Sequence, residues 1–177
     1  MTNMNYFNQE SERLTFRGLT FEDTKSWEEF FVNNDRIHFL GLDPKKDKME
    51  LAIETIERQL QRYNEDKNGL LAVIEKTSGD LIGLTGIITR KIEDKVEFEI
   101  GYSFKAKYWG KGYATEAAQQ IKKFGIETKI ANRFISIIHK DNTSSFRVAE
   151  RNGMKPILKT EFMGMNVVVY GTDILKT

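Results

Sequence analysis

The sequence predicts an α+β fold in which one twisted, mostly antiparallel sheet of about seven strands carries helices on both faces. Strand-like segments at residues 70–75, 81–88 and 96–104 follow one another through tight turns, which predicts an antiparallel meander. A helix-like segment at 113–127 and a further strand at 133–138 come next. This central β-α-β crossover requires one parallel pair inside the sheet.

The remaining segments complete the order β-α-α-β-β-β-α-β-α-β-β. In the second helix, Met49, Ala52, Ile53 and Ile56 fall at helical spacing opposite a charged face. The elements outside the meander and the crossover are a strand at 13–19, a helix that starts at 20–23, the amphipathic helix at 49–63, a short helix at 143–151 that ends at Asn152-Gly153, and a closing hairpin at 155–162 and 166–174.

Composition limits the classes of function. The 177 residues suit one domain, 1–177, and their 40% hydrophobic and 30% charged content is that of a globular protein. The 27 basic residues balance 26 acidic ones, so no charge excess indicates a nucleic acid partner. No apolar run approaches the roughly 18 residues that a membrane span needs. We therefore expect a cytoplasmic protein with neither nucleic acid nor membrane as a partner.

The chain contains no cysteine and two histidines, His38 and His139. Disulfides, thiolate metal sites and a covalent cysteinyl intermediate are therefore excluded. We expect no metal site, although carboxylates alone remain able to hold a hard cation. Catalysis must rest on carboxylates, hydroxyls, backbone amides or a co-substrate.

The segment Gly110-Lys111-Gly112 lies between a predicted strand and a helix start. Two glycines let the backbone bend and let a phosphate approach, while the first amides of the helix have no intrahelical partner. Together with the helix dipole they predict an anion site suited to a pyrophosphate, to which Lys111 adds a charge. A plain strand-to-helix turn is the alternative. The spacing fits neither a Walker loop nor a dinucleotide fingerprint, whose third glycine is replaced by Thr115.

Three segments in order carry a resemblance to a known family. Residues 99–102 read EIGY, residues 108–117 read YWGKGYATEA, and residues 142–154 read NTSSFRVAERNGM. This set closely resembles the GNAT superfamily of N-acetyltransferases, within it the ribosomal-protein N-terminal acetyltransferases, as do the opening SERLTFR at 11–17 and the closing VYG at 169–171. The resemblance covers about residues 11–174 and implies acetyl-CoA as co-substrate, an amine as acceptor and no metal.

The resemblance also implies the residues that bind acetyl-CoA. Trp109, Gly112 and Ala114 match the family's loop pattern Gln/Arg-x-x-Gly-x-Gly/Ala, with Trp109 as a departure that need not harm a site built from backbone amides. The strand before the loop would pair with the pantetheine arm, and Asn142 would contact the cofactor, unless it is only a helix N-cap. The implied set is Tyr102, Ser103, Phe104, Trp109, Gly110, Lys111, Gly112, Tyr113, Ala114, Thr115 and Asn142.

The implied mechanism is direct attack of an amine on the thioester in a ternary complex. A backbone N–H within 102–104 would polarise the carbonyl, and Glu99, or Glu97 in second place, would accept the amine proton directly or through water. The alternative for both is a solvated or ion-paired carboxylate on the strand. His139 is interpreted as a surface group at the end of a strand.

The group that donates a proton to the departing thiolate is the least defined part of the site. Many members of the superfamily carry a tyrosine where this chain has Ala149. Ser145 matches the serine of the ribosomal-protein branch, unless it only packs in the first turn of its helix. Tyr102, Tyr108 and Tyr170 are alternatives.

Three functions remain open at this level. The first is an N-acetyltransferase that acts on a protein N-terminal α-amine or on a small-molecule amine. A homodimer is an open alternative for its oligomeric state. The second is a non-catalytic acyl-CoA-binding sensor, which the absence of the tyrosine at Ala149 keeps open. The third is a phosphate-ligand protein of another fold.

Overall fold

A computed structural model describes residues 5–173 of the chain and contains, within that range, eight strands and four helices. The strands are β1 (Asn8–Glu10), β2 (Leu14–Arg17), β3 (Gly69–Glu75), β4 (Leu81–Ile92), β5 (Lys95–Phe104), β6 (Ile135–His139), β7 (Lys155–Phe162) and β8 (Met165–Gly171). The helices are α1 (Thr24–Glu28), α2 (Lys48–Glu65), α3 (Tyr113–Glu127) and α4 (Thr143–Arg151).

All eight strands form one sheet in the order β1-β2-β3-β4-β5-β6-β8-β7. Every neighbouring pair is antiparallel except β5 with β6, which α3 connects. The predicted fold class and the central crossover are therefore confirmed. The eighth strand is β1, whose three polar residues are too few to reveal an alternating pattern. Ile174, where the closing hairpin is predicted to end, lies outside the described residues.

Helices cover both faces of the sheet. Leu71 and Val73 of β3 belong to the apolar cluster that contains the buried side of α3, whereas Ala72 between them belongs to the cluster formed by α1 and α2. Neighbouring strand residues point to opposite faces, so this division places α1 and α2 on one face and α3 on the other. Within residues 5–173, no helix combines the length and apolar character that crossing a membrane requires.

Two predicted helices differ in detail from the structure. The first is short, because α1 is continued on both sides by single 3-10 turns at Phe21–Asp23 and Glu29–Phe31. In α2, Ile53 is exposed and Gln59 is buried, against the apolar pattern. Gln59 is buried because its Oε1 accepts a hydrogen bond from the Leu70 amide at the start of β3, at 2.9 Å.

The sheet opens at its centre, between β5 and β6. Their register contains the single pair Glu99↔Ile135 within the described residues, and Ser136 Oγ donates to the Ile100 carbonyl at 2.9 Å just beyond it. Backbone groups of successive strand residues face opposite edges, so Tyr102 faces the same edge as Ile100. From Tyr102 onward this edge of β5 has lost its neighbour, and the backbone there is available to a ligand.

Helix α3 approaches the sheet closely at Gly125. A Cβ at this position would lie 2.9 Å from Cε1 of the buried Phe134 ring and 3.2 Å from Cδ1 of Ile87. Real Cβ contacts are longer, and neither neighbour is free to retreat within a packed core. The glycine is therefore required by packing, although it is a poor helix former.

We expect Gly125→Ala to destabilise the protein despite its better helix propensity. Overpacking costs about 1–3 kcal/mol, which exceeds the gain of about 1 kcal/mol from replacing glycine in a helix. Urea denaturation would therefore give a lower midpoint for Gly125→Ala. Lys123→Ala, an exposed change in the same helix, is the control and should leave the midpoint nearly unchanged. A midpoint raised by Gly125→Ala would contradict the close contact.

Candidate active site

A cleft of about 510 Å³ lies at the point where β5 loses its neighbour. Its walls are the end of β5, the loop that leads to α3, the first turns of α3 and α4, and residues 34–40 from the opposite side. Ten of the eleven residues predicted to bind acetyl-CoA line it: Tyr102, Ser103, Phe104, Trp109, Gly110, Gly112, Tyr113, Ala114, Thr115 and Asn142. Lys111 does not line it.

The loop ends in an anion site made of backbone amides. Gly110 and Gly112 both have left-handed φ angles, 76° and 81°, which favour glycine. Gly112 caps α3, and the first backbone bond of the helix runs from the Glu116 amide to the Gly112 carbonyl at 3.1 Å. The amides of 113–115 therefore have no partner within the helix. Thr115 Oγ1 is also buried without a hydrogen-bond partner among the described residues.

Arg13, at the approach to β2, anchors this loop from outside the cleft. Its Nη1 donates to the Lys111 carbonyl at 3.0 Å, and its guanidinium lies 4.3 Å from the centre of the Tyr113 ring. Its Nε and its backbone amide both donate to the Glu116 carboxylate, at 2.7 and 2.8 Å. Because Glu116 is neutralised in this way, a carboxylate in the first turn of α3 does not oppose an anion bound there.

Trp109, the departure from the family's loop pattern, has a structural role. Its Nε1 donates to the Phe104 carbonyl at 2.7 Å and so ties the loop to the end of β5. The Arg36 guanidinium stacks 4.1 Å from the centre of the Trp109 ring and donates to Ser144 Oγ at 3.1 Å. Arg36 thus bridges the loop and α4 across the cleft. The sequence offered no signal for Arg36, because its partners lie about 70 and 108 positions away along the chain.

Asn142 and Ser145 lie at the start of α4, next to the open edge. Asn142 Oδ1 accepts a hydrogen bond from the Ser145 amide at 3.3 Å, which makes Asn142 the N-cap that was considered as its alternative role. The same side chain lines the cleft, so the two roles are compatible. Tyr102 donates its hydroxyl to the Ser145 carbonyl at 3.0 Å. Burial raises the pKa of Tyr102, and its hydrogen bond with Ser145 lowers it only in part.

A second chamber of about 250 Å³ adjoins the cleft on the other side of the open edge. The two cavities share seven lining residues: Phe30, Phe39, Leu40, Tyr102, Ser103, Asn142 and Ser145. Aromatic side chains line this chamber: Trp27 of α1, Phe30 and Phe31 of the turn that follows it, and Phe39. A ligand in the cleft and a ligand in the chamber would therefore meet at Tyr102 and Ser103.

The structure separates the two carboxylates considered as bases. Glu99 lines the second chamber, is 8% exposed and receives a hydrogen bond from Arg90 Nε on its Oε2 at 2.6 Å. Glu97 lines neither cavity and is paired with Arg133. Glu99 is therefore the candidate that reaches the site. It is an ion-paired carboxylate whose Oε2 accepts the hydrogen bond from Arg90, while no side-chain hydrogen bond to its Oε1 is found among the described residues.

The remaining candidates are distributed as follows. Tyr108 donates its hydroxyl to Asp80 Oδ2 at 2.9 Å, and Tyr170 stacks on Phe146 in the core and lines neither cavity. Ala149 lies on the buried side of α4 and is packed in the core. His139, interpreted as a surface group, instead lines the second chamber and stacks against Phe39 at 4.9 Å.

Tyr113 and Lys111 contribute differently from the other loop residues. The Tyr113 hydroxyl donates to Glu75, so its ring belongs to the core and its amide to the anion site. Lys111 is exposed, with Nζ 5.4 Å from the centre of the Tyr108 ring. A role for its charge in binding stays a prediction. Within residues 5–173, no three histidine, aspartate or glutamate side chains gather in a way that would hold a metal ion.

Comparisons with known proteins identify the family of this chain. The family model described as an acetyltransferase (GNAT) domain matches residues 13–155. The uncharacterized protein YkkB of Bacillus subtilis is 38% identical over 80 residues, which are 45% of this chain and 46% of that protein. The uncharacterized N-acetyltransferase YnaD of the same organism is 28% identical over 147 residues, 82% of this chain and 81% of YnaD.

Two solved structures have the same fold. An acetyltransferase from Agrobacterium tumefaciens superposes with a TM-score of 0.75 at 25% identity, over 93% of this chain and 92% of that chain. RimL, described as a ribosomal L7/L12 alpha-N-protein acetyltransferase in complex with coenzyme A, gives 0.73 at 17% identity, over 93% and 96%. At that identity RimL is evidence for the fold alone.

The chain belongs to the GNAT acetyltransferase family, as its motifs predict. It is an acetyl-CoA-dependent acetyltransferase, and acetyl-CoA is its co-substrate.

The Glu116 anchor generates a pH-dependent prediction. Burial acts to raise the pKa of Glu116, but hydrogen bonds from Ser11 and Arg13 outweigh it and the pKa is lowered below its usual 4.5. The stability contributed by this carboxylate is therefore fully present above pH 4.5 and is lost as the pH falls through the lower folded-state pKa. Glu116→Gln should cost about 1–2 kcal/mol of unfolding free energy at pH 7, and much less near pH 3.

Denaturant unfolding at several pH values would measure this difference. Glu127→Gln, at the opposite end of α3 and 4.0 Å from Lys123, is the matched control and should change stability little at any pH. A Glu116→Gln deficit that is the same at pH 7 and pH 3 would contradict the anchor.

Proposed function

We propose that the enzyme transfers the acetyl group of acetyl-CoA to a primary amine, which attacks the thioester directly in a ternary complex. One observation carries the proposal. Two cavities, one with a backbone anion site and one with a buried carboxylate, adjoin each other at the unpaired edge of β5. Such an arrangement brings a thioester and an amine together from opposite sides.

The cleft suits the parts of acetyl-CoA in order. Its diphosphate would bind the free amides of 113–115, with Thr115 Oγ1 as a further polar group beside them. Arg147 and Arg151 line the same cleft and supply charge for phosphates. The amide-containing arm would then continue along the edge of β5 as an added strand does, which leads the thioester to Tyr102 and Ser103.

The reaction balances with groups from the chain. The amine nitrogen forms a bond to the thioester carbonyl carbon, the C–S bond breaks, and the sulfur leaves as a thiolate that takes up a proton. Glu99 would accept the proton that the amine loses, directly or through water. A backbone N–H of Tyr102 or Phe104, at the open edge, would stabilise the negative charge on the carbonyl oxygen.

The thiolate needs little acid assistance. Thiols are far more acidic than amines or alcohols, with a pKa of about 8.5 for a cysteine side chain, so a thiolate is a good leaving group near neutral pH. Ser145, which lines both cavities, and Tyr102, whose raised pKa keeps its hydroxyl protonated, are the proton donors at hand. The chain has no cysteine to carry the acetyl group, which favours direct attack over a covalent route.

The acceptor is an amine of one of two kinds, a protein N-terminal α-amine or a small molecule. The description of RimL as an alpha-N-protein acetyltransferase supports the first kind by analogy of fold. The 250 Å³ volume of the second chamber is compatible with both kinds, because it has room for a small molecule or for a terminal residue.

We expect Gly110→Glu to weaken coenzyme A binding roughly 100-fold, since like charges about 4 Å apart near a surface repel by about 4 kcal/mol before screening. A side chain at Gly110 meets open space, so the fold should persist. Gly79→Glu is the matched control, because Gly79 has nearly the same φ, 75°, and equally open surroundings but lies outside the cleft. Calorimetry that gives equal affinities for both variants would remove the loop from the site.

Acetyl-CoA-dependent release of free thiol, measured with a panel of amines and with mass spectrometry of the products, tests the reaction. Glu99→Gln should lower kcat about 10²- to 10⁴-fold near neutral pH, and the defect should shrink as the pH approaches the pKa of the amine. Glu97→Gln, on the same strand and also paired with an arginine, is the control and should keep near-normal kcat.

Three results would count against parts of the proposal. Equal losses in Glu99→Gln and Glu97→Gln would remove Glu99 as the base. An unchanged kcat in Ser145→Ala, with a lower kcat in Tyr102→Phe, would move the proton donor from Ser145 to Tyr102. Tight binding of acetyl-CoA without thiol release for any amine would favour an acyl-CoA sensor instead.

A further inference from the structure

The second chamber carries an excess of positive charge. Arg58 and Arg62 of α2 and Arg90 of β4 line it together with a single glutamate, Glu99. Arg90 and Glu99 neutralise each other through their 2.6 Å ion pair. Arg58 and Arg62 form no ion pair within the described residues. Arg58 is exposed and Arg62 is half-buried, so two guanidinium groups without a carboxylate partner border the chamber proposed to receive the acceptor.

Only part of the hydrogen-bonding capacity of the Arg62 guanidinium is used. Its Nη1 donates to Gln59 Oε1 at 3.2 Å, while a guanidinium has five donors. Burial lowers the pKa of Arg62 to about 10, and repulsion from Arg90 and Arg58 adds to this against the weaker attraction of Glu99 and Asp66. The group stays charged at neutral pH, in a position where an anion would relieve both the burial and the repulsion.

The indole N–H of Trp27 is a neutral hydrogen-bond donor that also favours a ligand group able to accept hydrogen bonds. The Trp27 side chain lines the chamber, is almost fully buried, and its Nε1 has no hydrogen-bond partner among the described residues. An indole N–H can only donate, as can a guanidinium. These donors favour a ligand group that accepts hydrogen bonds, and the unpaired guanidinium charges favour one that is negatively charged, such as a carboxylate or a phosphate.

We propose that the acceptor is a small molecule that carries an anionic group in addition to its amine, and that Arg58 and Arg62 bind this group. The anionic end lies toward α2, and the amine end lies toward Glu99 and the open edge of β5. The inference rests on the proposed function, because it assumes that the second chamber holds the acceptor. It narrows the acceptor from any primary amine to one class.

Matched pairs of acceptors test the class. 4-Aminobutyrate is compared with 4-aminobutanamide, and phosphoethanolamine with ethanolamine, so that each pair differs mainly in the anionic group. In the wild-type enzyme we expect kcat/KM to be at least 10-fold higher for the anionic member of one pair or both, as a charged hydrogen bond allows. A larger ratio in the 4-aminobutyrate pair would identify the preferred anionic group as a carboxylate, and a larger ratio in the phosphoethanolamine pair would identify it as a phosphate. Ratios near one or below it in both pairs would overturn the inference.

Arginine variants locate the effect. Arg58→Gln and Arg62→Gln should each reduce the anionic-to-neutral ratio about 10-fold, through KM for the anionic acceptor, while coenzyme A affinity by calorimetry stays unchanged. Lys48→Gln is the control, since Lys48 is an exposed cation of the same helix that lines neither cavity. A ratio preserved in both arginine variants, or reduced equally in Lys48→Gln, would also overturn it.

Failure of this inference and failure of the proposed function give different results. If the enzyme acetylates neutral amines as well as anionic ones, the reaction stands and the acceptor class is wrong. If acetyl-CoA binds but no amine of either kind releases thiol, the proposed function itself fails. Calorimetric titration of 4-aminobutyrate or phosphoethanolamine into the coenzyme A complex provides a binding readout that does not depend on turnover, and absence of saturable binding for both would overturn the inference.

Discussion

The functional architecture depends on the loss of pairing between β5 and β6. These strands run parallel with one registered pair, Glu99↔Ile135, and α3 connects them. If they paired along their full length, the backbone of Tyr102 would be occupied and the two cavities would be separated by continuous sheet. Because they part, one strand edge borders both cavities, and in the proposed function it would serve both as a surface for the cofactor arm and as the boundary of the acceptor chamber.

The anion site is a backbone structure that side chains hold in place. Left-handed glycines at 110 and 112 set the direction of the loop and place the free amides of α3 where the proposed diphosphate would bind. Arg13 fixes the loop through the Lys111 carbonyl and through Glu116 without entering the cleft. Precise amide positions matter more than any single charge here, since the donors must already be oriented when the diphosphate arrives.

The sequence pattern predicted those parts of the structure that depend on neighbouring residues along the chain. The extent of α3, the crossover and the glycine loop follow from spacing and conformational preference, and the structure agrees with them. The bridge from Arg36 to Trp109 and the approach of Arg90 in β4 to Arg58 and Arg62 in α2 join residues that are distant in sequence, and no periodicity encodes them. The same reason explains the buried Gln59 in α2, whose partner is the Leu70 amide of the next strand rather than a residue of its own helix.

The two departures from the family pattern indicate which tasks need a particular side chain. At position 109 a tryptophan replaces Gln or Arg, yet the loop keeps its geometry, because the indole ties itself to the Phe104 carbonyl and stacks on Arg36. At position 149 an alanine replaces tyrosine and is packed in the core, where no hydroxyl is available. The first departure does not disturb the proposed diphosphate site, because that site is made of backbone amides. The second is tolerable only if the thiolate leaves readily and another hydroxyl is close, and Ser145 and Tyr102 meet that condition at the one edge where both cavities meet.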